Sequence, residues 1–139
     1  MLITRRAEFS SSHVCAQPLL SAEENRELYG KCNNPYGHGH DYVLDVSVTG
    51  PVDTASGQVV NIQVLDRLVG ERILHDFDHK YLNADVREFG EAIPTSENII
   101  RVMENRLQAH WRDSFAGEWP RLEKIRLRET RRNAFELVS

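Results

Sequence analysis

The sequence predicts an α+β domain, in which an antiparallel sheet carries two helices on one face. Stretches with strand-like alternation of apolar and polar side chains lie near both ends of the chain, and two helical patterns lie between them. Grouped strands and grouped helices are typical of α+β proteins. A chain of 139 residues is long enough to bury one sizeable core. We therefore expect residues 1–139 to form a single domain.

Two strands are predicted in the first third of the chain. In Leu2–His13 the more apolar face includes Phe9, and His13 lies at its end. In His40–Thr49 the apolar face begins with His40. If the two strands pair antiparallel, the end of the first lies beside the start of the second. A register shift of one residue in either strand would separate the two imidazoles.

The connections between the predicted strands also carry signals of local structure. Ser21 and Glu24 form a capping box, which predicts a short helix that ends near Gly30. The stretch Gln58–Ile62 is interpreted as a short strand. The segment Phe77–Asn83 is interpreted as a loop between the two longer helices.

Two longer helices are predicted in the middle of the chain. Val64–Leu74 has apolar side chains at helical spacing, which predicts one buried face. Thr95 is the expected N-cap of the second helix. Ile99, Met103 and Leu107 are expected to line the core face of that helix.

The last two strands are predicted over Leu122–Arg128 and Ala134–Val138, joined by a hairpin turn. Ile125 and Leu127 share one face with Glu129, where the alternation favours an apolar side chain. One interpretation is that the strand has ended and the carboxylate lies in the turn. The other is a partly buried carboxylate that binds a ligand with paired N–H donors.

Three histidines are the candidate metal ligands. His38 and His40 lie two residues apart, so they point the same way if the backbone is extended. The expected strand pairing adds His13 to them. Three protein ligands leave the fourth position of zinc open, which is the catalytic pattern. The alternative is that all three are surface or turn histidines.

Three further residues are candidates for catalysis. Cys32 is interpreted in three ways, as a fourth metal ligand, as a small buried side chain, or as a base or nucleophile beside the metal. Cys15 is interpreted as a structural or incidental thiol. Asp78 and His79 are either part of a solvated loop or a proton relay in which the carboxylate orients the imidazole.

The composition excludes several classes of protein. A net charge of −4 argues against a general nucleic-acid binder and against binding to an anionic membrane. No apolar stretch approaches the length of a membrane span, and residues 1–14 lack an apolar signal core. We therefore expect a cytoplasmic protein whose two cysteines are reduced.

Several motifs, in this order along the chain, resemble the 6-pyruvoyltetrahydropterin synthase family. The resemblance covers residues 7–136, and HxH is its least specific part. The segments that carry it are Phe9–His13, Leu28–Tyr42, Asp78–Lys80, Pro94–Asn98 and Glu129–Thr130.

The resemblance implies a fold and an assembly. The family has the tunnelling fold, with a four-stranded antiparallel sheet, two helices on one face, and trimers that close a twelve-stranded barrel. It implies a homohexamer made of two stacked trimers, with active sites between subunits. The implied substrate is a small-molecule pterin.

The resemblance also implies a zinc-dependent active site. Zinc is expected on His13, His38 and His40. Cys32 is expected to be the proton acceptor.

Five other residues receive implied roles in catalysis and substrate binding. Asp78 and His79 are expected to form a proton relay supplied by a neighbouring subunit. Glu129 is expected to anchor the pterin ring and to connect with the relay. Thr95 and Glu97 are expected in the same pterin pocket.

The spacing of the cysteine favours one branch of the family. Cys32 precedes His38 with five residues between them, as in the pyruvoyl-forming branch. The 6-carboxytetrahydropterin synthases of queuosine biosynthesis typically have three residues there and are the alternative. A non-catalytic zinc-stabilised pterin-binding module is the second alternative. Val14, Cys15 and Asn83 depart from the common family residues at their positions.

The implied reaction is the elimination of triphosphate from 7,8-dihydroneopterin triphosphate. Tautomerisation moves reducing equivalents from the side chain to the ring, so the reaction needs no nicotinamide. The sequence also has no phosphate-binding glycine loop.

Overall fold

A five-stranded sheet is the centre of the computed structural model, which describes residues 1–139. The strands are β1 (Leu2–His13), β2 (His38–Thr49), β3 (Lys80–Tyr81), β4 (Arg121–Arg128) and β5 (Ala134–Val138). Their order across the sheet is β3-β1-β2-β4-β5. All neighbours are antiparallel except β3, which runs parallel to β1.

The predicted four-stranded antiparallel sheet is corrected in one respect, because β3 adds a short parallel strand at the edge. It pairs with β1 only at Ser11 and Ser12. The segment Phe77–Asn83, interpreted as a loop, therefore contains a strand. Two residues are too few to produce a periodic pattern, so alternation could not reveal β3.

The helices carry the caps that the sequence predicts. They are α1 (Ala22–Tyr29), α2 (Ile62–Val69), α3 (His75–Phe77), α4 (Leu82–Asp85) and α5 (Ser96–Ser114). The capping box of Ser21 and Glu24 is present at α1, which ends just before Gly30. Thr95 accepts a hydrogen bond from the Asn98 amide at the start of α5. None of the helices is long and apolar enough to cross a membrane.

The predicted strand Gln58–Ile62 is wrong. The side chain of Asn61 accepts hydrogen bonds from the amides of Gln63 and Val64, and so starts α2 at Ile62. A π-helical turn over Gly70–Leu74 then joins α2 to α3. Val59 and Val60, the apolar residues before Asn61, are buried and form bends. Their composition favoured a strand, but the Asn61 cap starts a helix directly after them.

The core lies between the sheet and the helices α2 and α5. The predicted core face of α5 is confirmed, since Ile99, Met103 and Leu107 are fully buried. Leu44 and Ile125 contribute the facing side chains of the sheet. Phe9 on β1 and Tyr42 on β2 belong to the same core and are the core residues nearest the end of β1 and the start of β2.

The other face of the sheet holds an ion pair between a buried aspartate and an exposed arginine. Asp45 is 9% exposed and accepts hydrogen bonds from Arg6 on β1, at 2.8 and 3.1 Å. The hydrogen bond from Arg6 is the main reason that the pKa of Asp45 is lowered. Arg126, its partner on β4, adds a further positive charge.

Asp45→Asn is expected to lower the free energy of unfolding by about 1–2 kcal/mol at neutral pH, because it removes charge-assisted hydrogen bonds. Asp66→Asn is the matched control, since its pair with Arg5 is exposed and should contribute less to stability. The pKa of Asp45 is lower in the native than in the unfolded protein, so its stabilisation is present above the unfolded pKa. Thermal unfolding should therefore show the difference between native protein and Asp45→Asn shrinking as the pH falls through the native pKa of Asp45.

Candidate metal centre

The pairing of β1 with β2 brings three histidines together. His13 is the register partner of His38, and His40 follows on the same face of β2. The ring centroids lie 5.0 Å apart for His13 and His38, 5.2 Å for His13 and His40, and 4.6 Å for His38 and His40. The convergence predicted from strand alternation is therefore confirmed.

The histidines point their Nε2 atoms at one another. Nε2 of His38 lies 3.2 Å from Nε2 of His13 and 2.8 Å from Nε2 of His40. Nδ1 of His13 and Nδ1 of His38 each lie 2.7 Å from a backbone carbonyl oxygen, those of Pro94 and Lys31. A carbonyl only accepts, so both Nδ1 atoms carry the proton and the neutral rings present Nε2 lone pairs.

Converging lone pairs repel unless a cation lies between them, so this donor set fits a metal ion. Burial lowers the pKa of His13, which favours the neutral imidazole that a metal requires. The backbone carbonyls on Nδ1 are the outer hydrogen bonds that orient metal-binding imidazoles.

Two further side chains join the histidines. Donor atoms of His13, Cys32, His38, His40 and Glu129 all lie within 4.8 Å of one another, and the group could hold a metal ion. A 3₁₀ helix over residues 30–33 places Cys32 with its Sγ 3.5 Å from Nε2 of His38. Burial, followed by the charge of Glu129, raises the pKa of the Cys32 thiol.

Glu129 lies one residue beyond β4 and faces the histidines. Its side chain is only 10% exposed, and Oε1 lies 2.9 Å from Nε2 of His40. Oε2 accepts a 2.5 Å hydrogen bond from the Ser96 hydroxyl. The contact with His40 and then the bond from Ser96 lower the pKa of Glu129 to about 2. The strand has ended, as the first interpretation states, and the carboxylate is partly buried, as the second states, while its binding of a ligand stays a prediction.

Asp78 and His79 contact each other but lie outside the histidine cluster. Oδ1 of Asp78 lies 3.0 Å from Nδ1 of His79 and accepts a 3.0 Å hydrogen bond from the Ser10 amide. The His79 imidazole is 84% exposed. Both belong to the surface beside β3, where His79 and Lys80 line an open cavity of about 390 Å³.

The residues expected in a pterin pocket surround the start of α5. The hydroxyl of Thr95 caps the helix, and Glu97 is exposed in its first turn. Ser96, which lies between them, is 3% exposed and contacts Glu129 directly. The sequence reasoning assigned no role to Ser96, although its place inside the quoted segment 94–98 was a signal.

Cys15 and Asn83, which depart from the family pattern, lie in or beside the segment that follows His13. Cys15 is 2% exposed, with Sγ 3.6 Å from the Pro94 carbonyl oxygen, and burial raises its pKa to about 12. The side chain of Asn83 accepts a hydrogen bond from the Val14 N–H and donates one to the Val14 carbonyl oxygen, both of 2.8 Å. Asn83 therefore fixes the backbone beside the first histidine.

Known proteins resemble this chain over most of its length. A family model for 6-pyruvoyl tetrahydropterin synthase matches residues 2–138. The 6-pyruvoyl tetrahydrobiopterin synthase of Poecilia reticulata is 44% identical over 108 residues, covering 77% of this chain and 74% of that relative. The human enzyme of that name is 43% identical over 106 residues, covering 76% and 73%.

A solved structure agrees with these relatives. The Caenorhabditis elegans 6-pyruvoyl tetrahydropterin synthase superposes with a TM-score of 0.88 at 34% identity, covering 100% of this chain and 95% of that one. The 6-carboxy-5,6,7,8-tetrahydropterin synthase of Bacillus subtilis is more distant, at 33% identity over 89 residues, which covers 61% of this chain and 56% of that relative.

Proposed function

The chain belongs to the 6-pyruvoyl tetrahydropterin synthase family, and we propose that it eliminates triphosphate from 7,8-dihydroneopterin triphosphate to give a 6-pyruvoyl pterin. The observation that carries this proposal is the group of three histidines, a thiol and a carboxylate within 4.8 Å. This group supports the proposal because donor atoms suited to a metal lie beside a thiol that could act as a base and a carboxylate that could hold a ligand. In reaction terms the protein is a carbon–oxygen lyase of tetrahydrobiopterin synthesis.

The metal proposed for this site is zinc, held by Nε2 of His13, His38 and His40. Neutral imidazoles are common zinc ligands, and three of them leave the fourth position open for substrate. When bound there, zinc supplies Lewis acidity to hydroxyl oxygens of the substrate side chain.

Cys32 is the proposed proton acceptor. It is partly buried and lies beside His38, where it can reach a substrate side chain held over the histidines. Without a cation, burial favours the neutral thiol. A neighbouring positive charge has the opposite effect and favours the thiolate that a base requires.

Glu129 is the proposed anchor of the pterin ring. A carboxylate has two acceptor oxygens, which match paired N–H donors on one edge of a ring. Ser96 holds Oε2 and leaves lone pairs on both oxygens for a ligand. Thr95 and Glu97, at the adjacent helix end, are proposed to complete the pocket.

Asp78 and His79 are proposed to act in the site of a neighbouring subunit, with the carboxylate orienting the imidazole as a proton relay. The exposure of His79 supports this arrangement, because its ring is available to a partner. We propose that Glu129 connects the ring-binding pocket with this relay.

The protein is expected to form a homo-oligomer in multiples of three. The outer edge of β1 is paired only at Ser11 and Ser12, and β5 has a free outer edge. Such edges invite pairing, and closure of a barrel by three chains removes them. Light scattering at micromolar concentration should give a trimer or a hexamer of stacked trimers, whereas a monomer would contradict the proposed assembly.

Product identification separates the proposed activity from the 6-carboxytetrahydropterin alternative. The zinc-loaded protein is incubated with 7,8-dihydroneopterin triphosphate, and the pterin products are separated and identified by mass spectrometry. We expect the 6-pyruvoyl product, as the spacing of Cys32 and His38 and the names of the more similar relatives favour. A 6-carboxy product would overturn the assignment within the family.

A further inference from the structure

Two cysteines from separate segments lie side by side next to the metal centre. The amide of Cys15 donates a 2.6 Å hydrogen bond to the carbonyl oxygen of Cys32. The side chain of Asn33 donates a second bond, of 3.0 Å, to the carbonyl oxygen of Cys15. These two bonds clamp the segment after β1 against the 3₁₀ helix before β2.

These two hydrogen bonds hold the Cα atoms of Cys15 and Cys32 at a separation that suits a disulfide. With standard bond lengths, the direct N–H···O bond keeps the Cα atoms of Cys15 and Cys32 within roughly 6.5 Å. Disulfides span Cα separations of about 4.4–6.8 Å. Both cysteines are free thiols in this structure.

We infer that Cys15 and Cys32 form a site of reversible oxidation, at which a peroxide converts the two thiols to an intramolecular disulfide. No other disulfide is available within the chain, because it has two cysteines. The site itself follows from the geometry, and only its effect on catalysis rests on the function proposed above.

The two thiols have different roles because their exposure differs. Cys32 is partly exposed, whereas Cys15 is 2% exposed, so peroxide reaches Cys32 first. Its sulfur attacks one peroxide oxygen, the O–O bond breaks, and a sulfenic acid and one water are formed. The Cys15 sulfur then attacks the Cys32 sulfur, the S–O bond breaks, and the second water leaves with the Cys15 proton. In sum, two thiols are oxidised by two electrons and one peroxide is reduced to two waters.

The disulfide would stop catalysis without dismantling the metal site. It consumes the sulfur of Cys32, the proposed base, while His13, His38 and His40 keep their ring nitrogens. Cys15 also protects Cys32, because a sulfenic acid with no resolving thiol proceeds to sulfinic and sulfonic acids that thiols cannot reduce.

The test treats the zinc-loaded native protein and the Cys15→Ser variant with hydrogen peroxide, then with dithiothreitol. Peptide mapping by mass spectrometry follows the disulfide, and turnover of 7,8-dihydroneopterin triphosphate follows activity. Cys15→Ser changes no residue placed in the metal or substrate site, and Cys15→Ala repeats the test with a different side chain.

In the native protein we expect a Cys15–Cys32 peptide lighter by two hydrogens, a more than tenfold loss of turnover with zinc retained, and full recovery in dithiothreitol. In Cys15→Ser we expect added oxygen atoms on Cys32 and a loss that dithiothreitol does not reverse. Absence of the linked peptide from oxidised native protein would overturn the inference and leave the proposed function intact. A fully formed disulfide with undiminished turnover would instead remove Cys32 from the proposed catalytic role.

Discussion

His38→Ala is expected to release the metal and to abolish turnover of 7,8-dihydroneopterin triphosphate. His38 is the central member of the cluster, with Nε2 within 3.2 Å of both other Nε2 atoms. Mutation of a residue that hydrogen-bonds to a metal ligand weakens metal affinity by about 10- to 100-fold. Loss of a ligand itself should weaken the affinity further. Zinc content after dialysis, measured by atomic absorption, is the readout.

His110→Ala is the matched control, because His110 lies on α5 outside the cluster and should keep native zinc content and turnover. Acidification provides a second arm of the experiment. Metal binding requires neutral imidazoles, so protonation should eject zinc from the native protein as the pH falls. Full zinc occupancy in His38→Ala would remove this residue from the metal site.

Cys32→Ala and Glu129→Gln are expected to separate chemistry from binding. A base acts mainly in the transition state, so Cys32→Ala should lower kcat strongly while zinc and a pterin analogue still bind. If Cys32 were a fourth ligand of a closed structural site, the same variant would lose zinc. Cys15→Ser serves as the control, because it removes the neighbouring thiol and leaves the Cys32 side chain unchanged.

Glu129→Gln keeps the shape of the side chain but removes its charge and places an N–H₂ group near the donors of the ring. We expect the affinity for a pterin analogue to fall by about 1–3 kcal/mol, the cost of leaving polar groups unpaired in a pocket. Because Glu129 is also proposed to connect with the proton relay, kcat should fall as well. The affinity of both variants for the pterin analogue is measured by equilibrium binding. Unchanged affinity in Glu129→Gln, or lost affinity in zinc-loaded Cys32→Ala, would contradict the roles assigned to these residues.

Strand periodicity and one antiparallel pairing were sufficient to predict which side chains meet at the histidine cluster. Alternation over β1 and β2 placed His13, His38 and His40 on matching faces, and the expected antiparallel pairing brought the end of β1 beside the start of β2. The same rule singled out Glu129 as a carboxylate on an apolar face. Both inferences depend only on local backbone geometry and on one antiparallel pairing.

Features created by distant backbone contacts could not be predicted in this way. The carbonyl oxygens of Pro94 and Lys31 set the histidine tautomers, yet a carbonyl has no sequence signature. The partly buried hydrogen bond from Ser96 to Glu129 joins residues 33 positions apart. The contact between Cys15 and Cys32 likewise depends on a backbone bond between two irregular segments, where no period applies.

The release of triphosphate from 7,8-dihydroneopterin triphosphate, measured as zinc is titrated into metal-free protein, tests the proposed function most directly. The three-histidine site predicts no turnover without metal, and turnover that rises linearly and reaches a plateau at one zinc per chain. Full turnover in the metal-free protein, or none at full zinc occupancy, would contradict the proposal that this chain is a zinc-dependent pterin synthase.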